Sequence, residues 1–258
     1  MPRYVTVAQK EILDHLRDGR SVFATVAYAL MGPLVITLVS FSGRASSGNG
    51  RTVIVSMASV FALVAACTGG VHVAMDTMAG ERERRSMVPL LLNPVSRSDL
   101  VIGKWCAAIV FSLGSLLLSI AGFVAVQGLP VSGDAPPSSG AWVWVALGLI
   151  PLAVLGSAVQ LLVSANSRSA KEAQSWLSMV TFVPMIVGMF MVFFPGWVDQ
   201  WWFVAPVVGQ QSLIAHILSG QPVHVLQALG LAMLTIVASA PVLAATTAAL
   251  NRDELRVV

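Results

Sequence analysis

The residues best equipped for chemistry form one dense block of charge, Glu81-Arg82-Glu83-Arg84-Arg85, preceded by Asp76 and followed by the apolar patch Met87, Val88, Leu90, Leu91 and Leu92. Glu81 and Arg85 stand four apart, in the order that favours an ion pair along a helix. Asn93-Pro94 then supplies a helix stop. The spacing predicts a short helix over 78–92, charged at one end and apolar at the other, with Pro89 kinking or dividing it. Such an element suits docking to another protein, although a charge cluster beside a membrane also serves simply to orient the chain.

Two further groups could bind something. His72 and Asp76 are four residues apart and so share a helix face, which makes them candidates for a gate or a cation contact, or for interfacial residues bonded to the charge block or to lipid headgroups. Arg168, Lys171 and Glu172 form a second, shorter charged segment. Cys67 and Cys106 fall in apolar stretches with no metal-ligand spacing and read as small packing residues. No Gly-x-x-x-x-Gly-Lys-Ser/Thr phosphate loop is present, because the lysines are Lys10, Lys104 and Lys171 and none has that context. Paired carboxylates, a metal-spaced cluster and a Gly-x-Ser-x-Gly elbow are missing from the sequence as well. The chain is therefore expected not to be catalytic alone and to bind no metal or small-molecule cofactor of its own.

These residues are set between stretches that must lie in a bilayer. Of 258 residues 56% are hydrophobic and only 10% charged, with a mean hydropathy of +0.81, far from the composition of a soluble domain. A span needs roughly 20 apolar residues. Six windows qualify: Ser21 to Phe41, Val53 to Met75, Trp105 to Gln127, Trp142 to Ser164, Trp176 to Phe194 and His224 to Leu250. The expected fold is an all-α polytopic membrane protein, its six-helix unit over 21–250 followed by a cytoplasmic tail over 251–258. The first window is preceded by about twenty mixed-charge residues and does not read as a cleavable signal.

Lys and Arg concentrate on the cytoplasmic side of membrane proteins. With both termini inside, thirteen of the fifteen fall there, leaving Arg44 and Arg51 outside. The expected place is the inner (plasma) membrane, as a multi-pass protein with no nucleic-acid role. Residues 1–20 carry Tyr4, Ala8, Ile12 and Leu16 at intervals of four, with Lys10, Asp14, Arg17 and Asp18 largely on the other side. That pattern predicts an amphipathic helix along the inner interface. Trp197, Trp201, Trp202 and Phe203 gather before a semi-apolar stretch, predicting an aromatic belt and either a short outer hairpin over 203–220 that dips into the membrane or a loop packed on the bundle.

At the charge block a family resemblance becomes specific. Ala79-Gly80-Glu81-Arg82-Glu83-Arg84, then Pro89 to Arg97 and Gly103-Lys104-Trp105, resemble the segment between spans two and three of type-2 ABC exporter permeases, most nearly the sodium-export, NatB-like branch. The leader residues Lys10 to Leu13 and Leu16 to Arg20, and the loop Asn166 to Gln174, are similar to the same family's opening and second cytoplasmic loop.

The resemblance implies a six-helix half-transporter that pairs with a second permease, a copy or a paralogue, and engages two ATP-binding subunits that carry ATP and Mg. It makes residues 1–20 a connecting helix and 78–92 a coupling helix. It assigns Gly80, Glu81, Arg82, Glu83 and Arg84 to coupling, with Arg168, Lys171 and Glu172 as the second contact. It implies export by alternating access, of sodium ion first and otherwise of a drug, lipid or peptide. The large extracellular insertion common in the NatB-like branch is replaced here by Ser42 to Thr52. A non-transporting membrane anchor or an ion-driven secondary transporter would use much of the same sequence.

Overall fold

The computed structural model describes residues 2–41, 50–84, 96–126, 139–194 and 205–254, and among these every regular element is helical. An N-terminal helix, Arg3–Arg17, leads into span one, Gly19–Phe41. Span two is built in pieces: Gly50–Thr68, Val71–Met75, a π-helical turn Asp76–Gly80 and a last turn Glu81–Glu83. Span three is Arg97–Val126, span four Ser139–Asn166 and span five Ala170–Phe193. A short helix, Pro206–Leu218, precedes span six, Val225–Glu254. Six of these helices are long and apolar enough to cross a membrane.

The sequence places the spans to within a few residues, with one informative difference. Span two continues to Glu83 and span three begins at Arg97, each about two turns beyond the apolar windows. Met78, Ala79 and Gly80 are buried within the bundle, so the beginning of the expected 78–92 helix is the end of span two. The apolar patch at 87–92, the Asn93-Pro94 stop and the aromatic cluster at 197–203 lie outside the described residues.

Spans two, three and four form the core, because their small residues let backbones approach closely. At the Gly69-Gly70 break in span two, a Cβ on Gly69 would lie 2.4 Å from Ser115 Cβ of span three. Ala62, Leu63, Ala66, Leu116, Leu149 and Ile214 meet in the largest apolar cluster. Spans five and six are the least buried and present Phe182, Ile186, Met233 and Val237 outward, an apolar exterior that suits lipid rather than water.

At 13 residues, Pro206–Leu218 is far too short to span a bilayer, yet its Gln210, Gln211, Ile214 and Leu218 are buried among spans two, four and six. Gln211 Nε2 donates to Ser59 Oγ at 2.8 Å, and Gln210 Nε2 reaches Thr235 Oγ1 at 3.4 Å. This helix packs away from the charge block, against Ser59 of span two and Gly148 of span four.

The N-terminal helix packs chiefly on span three, and the face it buries differs from its apolar stripe. Ala8, Glu11 and His15 turn inward, while Leu13 and Leu16 are more than half exposed. A buried glutamate needs a cation, and span three provides one.

Candidate functional site at the charged end of the bundle

Lys104 has no solvent exposure. Its Nζ lies 2.7 Å from Glu81 Oε2 and 3.7 Å from Glu11 Oε1, and it also donates to the Thr77 carbonyl. One buried cation thereby joins the N-terminal helix, the end of span two and the start of span three. The π-helical turn assists, because π-helical pairing loosens the regular ladder of carbonyls there and Thr77 lies within it. Thr77 Oγ1 in turn donates to the Val73 carbonyl.

Each member of Gly103-Lys104-Trp105 holds a different neighbour. A Cβ at Gly103 would lie 2.7 Å from Val7 Cβ and 2.9 Å from the Tyr4 carbonyl oxygen, so the absence of a side chain is what seats the N-terminal helix. Lys104 supplies the charge, and Trp105 Nε1 donates to the Val154 carbonyl of span four at 3.1 Å.

Arg82 and Glu83 bind the two charged segments to each other. The Arg82 guanidinium donates to the carbonyls of Ala165, at 2.7 Å, and Ser167, at the C-terminal end of span four. Glu83 Oε2 accepts the Ala170 amide, 2.9 Å away, at the first turn of span five. Cation at a helix C-terminus and anion at an N-terminus are the favourable senses of the helix dipole. The turn is closed locally as well. Ser169 Oγ caps the Glu172 amide and Glu172 Oε2 accepts the Arg168 amide at 2.8 Å, a close variant of the capping box.

The structure therefore divides the eight residues singled out for docking. Gly80 is buried, Glu81, Arg82 and Glu172 are half-buried and hydrogen-bonded within the chain, and Glu83, Arg84, Arg168 and Lys171 are exposed. Space around Gly80 is tight, since a Cβ there would lie 3.2 Å from Asp76 Oδ1.

His72 and Asp76 share a face as their spacing requires, and each also has company from the N-terminal part. The His72 ring lies 6.1 Å from that of Tyr28 in span one. Asp76 groups with His15 and Asp18. Asp18 caps span one: hydrogen bonds from the Ser21 hydroxyl, at 2.8 Å, and from the Arg20 amide hold its carboxyl below the ordinary aspartate range.

A family model described as ABC-2 family transporter protein matches residues 5–255. The chain belongs to this family. In this ABC-2 chain the charged end thus lies inside the matched region, together with all six spans. It is similar to the ABC transporter permease protein NatB of Bacillus subtilis, 31% identical over 182 residues, which are 67% of this chain and 47% of that protein. It is also similar to the probable ABC transporter permease protein NosY of Pseudomonas aeruginosa, 28% identical over 127 residues, or 45% and 43% of the respective chains. The chain spans less than half the length of these relatives.

Reading the ABC-2 sequence alone misses Lys104, Glu11, His15 and Asp18 as members of the site. A signal for Lys104 exists: it lies inside a helix whose next twenty residues are uncharged, where a lone ammonium needs an anion. Which anions serve it is decided by contacts across 23 and 93 residues of sequence.

Proposed function

We propose that this chain is the transmembrane subunit of an ATP-driven ABC exporter, a multi-pass protein of the inner (plasma) membrane with both termini cytoplasmic. Membership in the ABC-2 family over residues 5–255 supports the permease role. The observation that carries the coupling role is the tie of Arg82 and Glu83 to the 165–170 segment. Through it, a push on exposed Glu83, Arg84, Arg168 or Lys171 is delivered to spans two, four and five together. Glu81, through Lys104, extends the same body to span three and the N-terminal helix.

Two ATP-binding subunits, carrying ATP and Mg, dock at this end, and a second permease, a copy or a paralogue, completes the pathway among membrane lipids. Nucleotide-driven closure of those subunits moves the braced end and reopens the spans outward. Inverting a two-state population from 1:99 to 99:1 takes about 5.5 kcal/mol of differential binding. The helix Pro206–Leu218 serves as the outer closure, consistent with its burial away from the charge block.

Sodium ion is the leading substrate, with a drug, lipid or peptide as the other classes. The sequence resemblance to the sodium-export branch supports it. So does the interior of spans two to four, where Thr68, Ser115, Ser119 and Gln160 are buried with side-chain oxygens that accept no hydrogen bond among the described residues. Neutral oxygens are suitable donors for a hard cation.

The test is purification of tagged permease in gentle detergent followed by ATPase assay of the eluate. A stoichiometric ATPase stimulated by sodium supports the whole reading. One indifferent to sodium keeps the exporter and removes its substrate, and none at all leaves an anchor or an ion-driven transporter.

A further inference from the structure

Beside the Lys104 cluster lies a second group of polar side chains that the coupling role does not use. One nitrogen of His15, one oxygen of Asp18 and one oxygen of Asp76 all lie within 4.8 Å of one another. They come from three elements: the last turn of the N-terminal helix, the residue before span one, and the first residue of the π-helical turn in span two. We propose that His15, Asp18 and Asp76 form a binding site for one divalent first-row transition-metal ion of the zinc class.

Charge is the first argument. Asp18 and Asp76 bring two carboxylates side by side, and neither makes an ion pair with a Lys or Arg among the described residues. Lys104 is occupied by Glu81 and Glu11, and Lys10 by Glu11 and Asp14. Asp76, half-buried, accepts no hydrogen bond there either, so its carboxylate has given up part of its water without a replacement. A doubly charged cation between the two carboxylates removes both deficits.

The donor set gives the class of ion. A mixture of imidazole nitrogen and carboxylate oxygen selects zinc and its first-row neighbours, whereas calcium and magnesium take oxygen alone. His15 is buried, its ring meets Phe111 edge-on at 6.0 Å, and its Nδ1 lies 3.2 Å from Ser21 Oγ, contacts that fix the position of the ring. With bonds of about 2.1 Å, tetrahedral ligand atoms lie about 3.4 Å apart, so the three atoms need to close in by at most roughly an ångström and a half, within side-chain rotation. His72, one turn before Asp76, lies outside the cluster, so water would fill the remaining position.

The bound ion would staple the junction of the N-terminal helix and span one to span two, one turn from the Lys104 cluster. The site is independent of what the transporter moves and of whether it moves anything.

Full-length permease carrying no polyhistidine tag is purified, stripped with chelator, loaded with Zn²⁺ and dialysed, and its metal is counted by mass spectrometry. Co²⁺ serves in parallel as a probe, through its visible absorption. One ion per chain is expected, with His15→Gln and the nearly isosteric Asp76→Asn each weakening binding at least tenfold. Asp14→Asn, an exposed acid on the same helix but outside the cluster, should bind as the parent does. Should His15→Gln fail to fold, Asp76→Asn decides, since it removes charge from a carboxylate that holds nothing else in place. No retained metal in the parent overturns the proposal, as does equal retention by Asp76→Asn, which would be adventitious binding only. Equal competition by Mg²⁺ overturns the assigned class.

Discussion

Lys104 and Glu81 form a buried ion pair, Nζ to Oε2 2.7 Å, across two transmembrane helices that the sequence connects only through the 85–95 segment. Glu11 approaches the same ammonium from the N-terminal helix, 3.7 Å away. A charge placed so deep is stable only while its partners stay.

Replacing Lys104 with methionine removes the buried cation that stands between Glu11 and Glu81. Removing one partner of a buried pair costs roughly 3–5 kcal/mol. The thermal midpoint in detergent and the yield of monodisperse protein should both fall, and adding Glu11→Gln with Glu81→Gln should restore much of the loss. A single variant as stable as the parent would remove Lys104 from the list of structural braces.

Gly103→Ala should dislodge the N-terminal helix. Its new Cβ meets Val7 and the Tyr4 carbonyl, and forced overpacking of this kind costs about 1–3 kcal/mol. Limited trypsin digestion at Lys10 and Arg17 should speed up, whereas Gly114→Ala, with open space around it, should leave the cleavage rate unchanged.

Inward and outward residues of the charged end should separate in two assays. Arg82→Ala frees the carbonyls of Ala165 and Ser167 and should lower thermal stability by about 1–3 kcal/mol, the usual penalty for breaking hydrogen bonds to a charged group. Arg84→Ala and Lys171→Ala, both exposed, should leave stability alone and weaken capture of the ATP-binding subunit severalfold. Unaltered capture by the Arg84/Lys171 double variant would move the docking surface elsewhere.

Away from the charged end, Gln211→Leu should loosen the short helix more than Gln210→Leu. Gln211 holds Ser59 through a 2.8 Å bond, while the Gln210 contact to Thr235 is long, at 3.4 Å. A double-mutant cycle of Gln211 and Ser59 should give a coupling of about 1 kcal/mol. Zero coupling would mean that the helix is held by its apolar face alone.

The number of spans and their approximate ends were legible because a bilayer makes each crossing a local matter: some twenty apolar residues suffice, whatever else the chain contains. The family resemblance was legible for a similar reason, since the motifs behind it run consecutively at Ala79 to Arg84 and Gly103 to Trp105, and the family model matches residues 5–255. Local spacing also put His72 and Asp76 on one face.

The direction in which charges point was not legible. Hydrophobic periodicity put Tyr4, Ala8, Ile12 and Leu16 on the stripe that faces the membrane interface, and gave no sign that Glu11 and His15 turn into the bundle while Leu16 stays on its exterior. The reason is that burial of an ionised side chain depends on a counter-charge, and the one for Glu11 is 93 residues away on another helix. Likewise Glu81 and Arg82 look like a surface charge block in one dimension, and become internal ties only once span two has carried them against Lys104 and the end of span four. Periodicity reports which residues avoid water along one helix; which charges may leave water together is settled only when the helices meet.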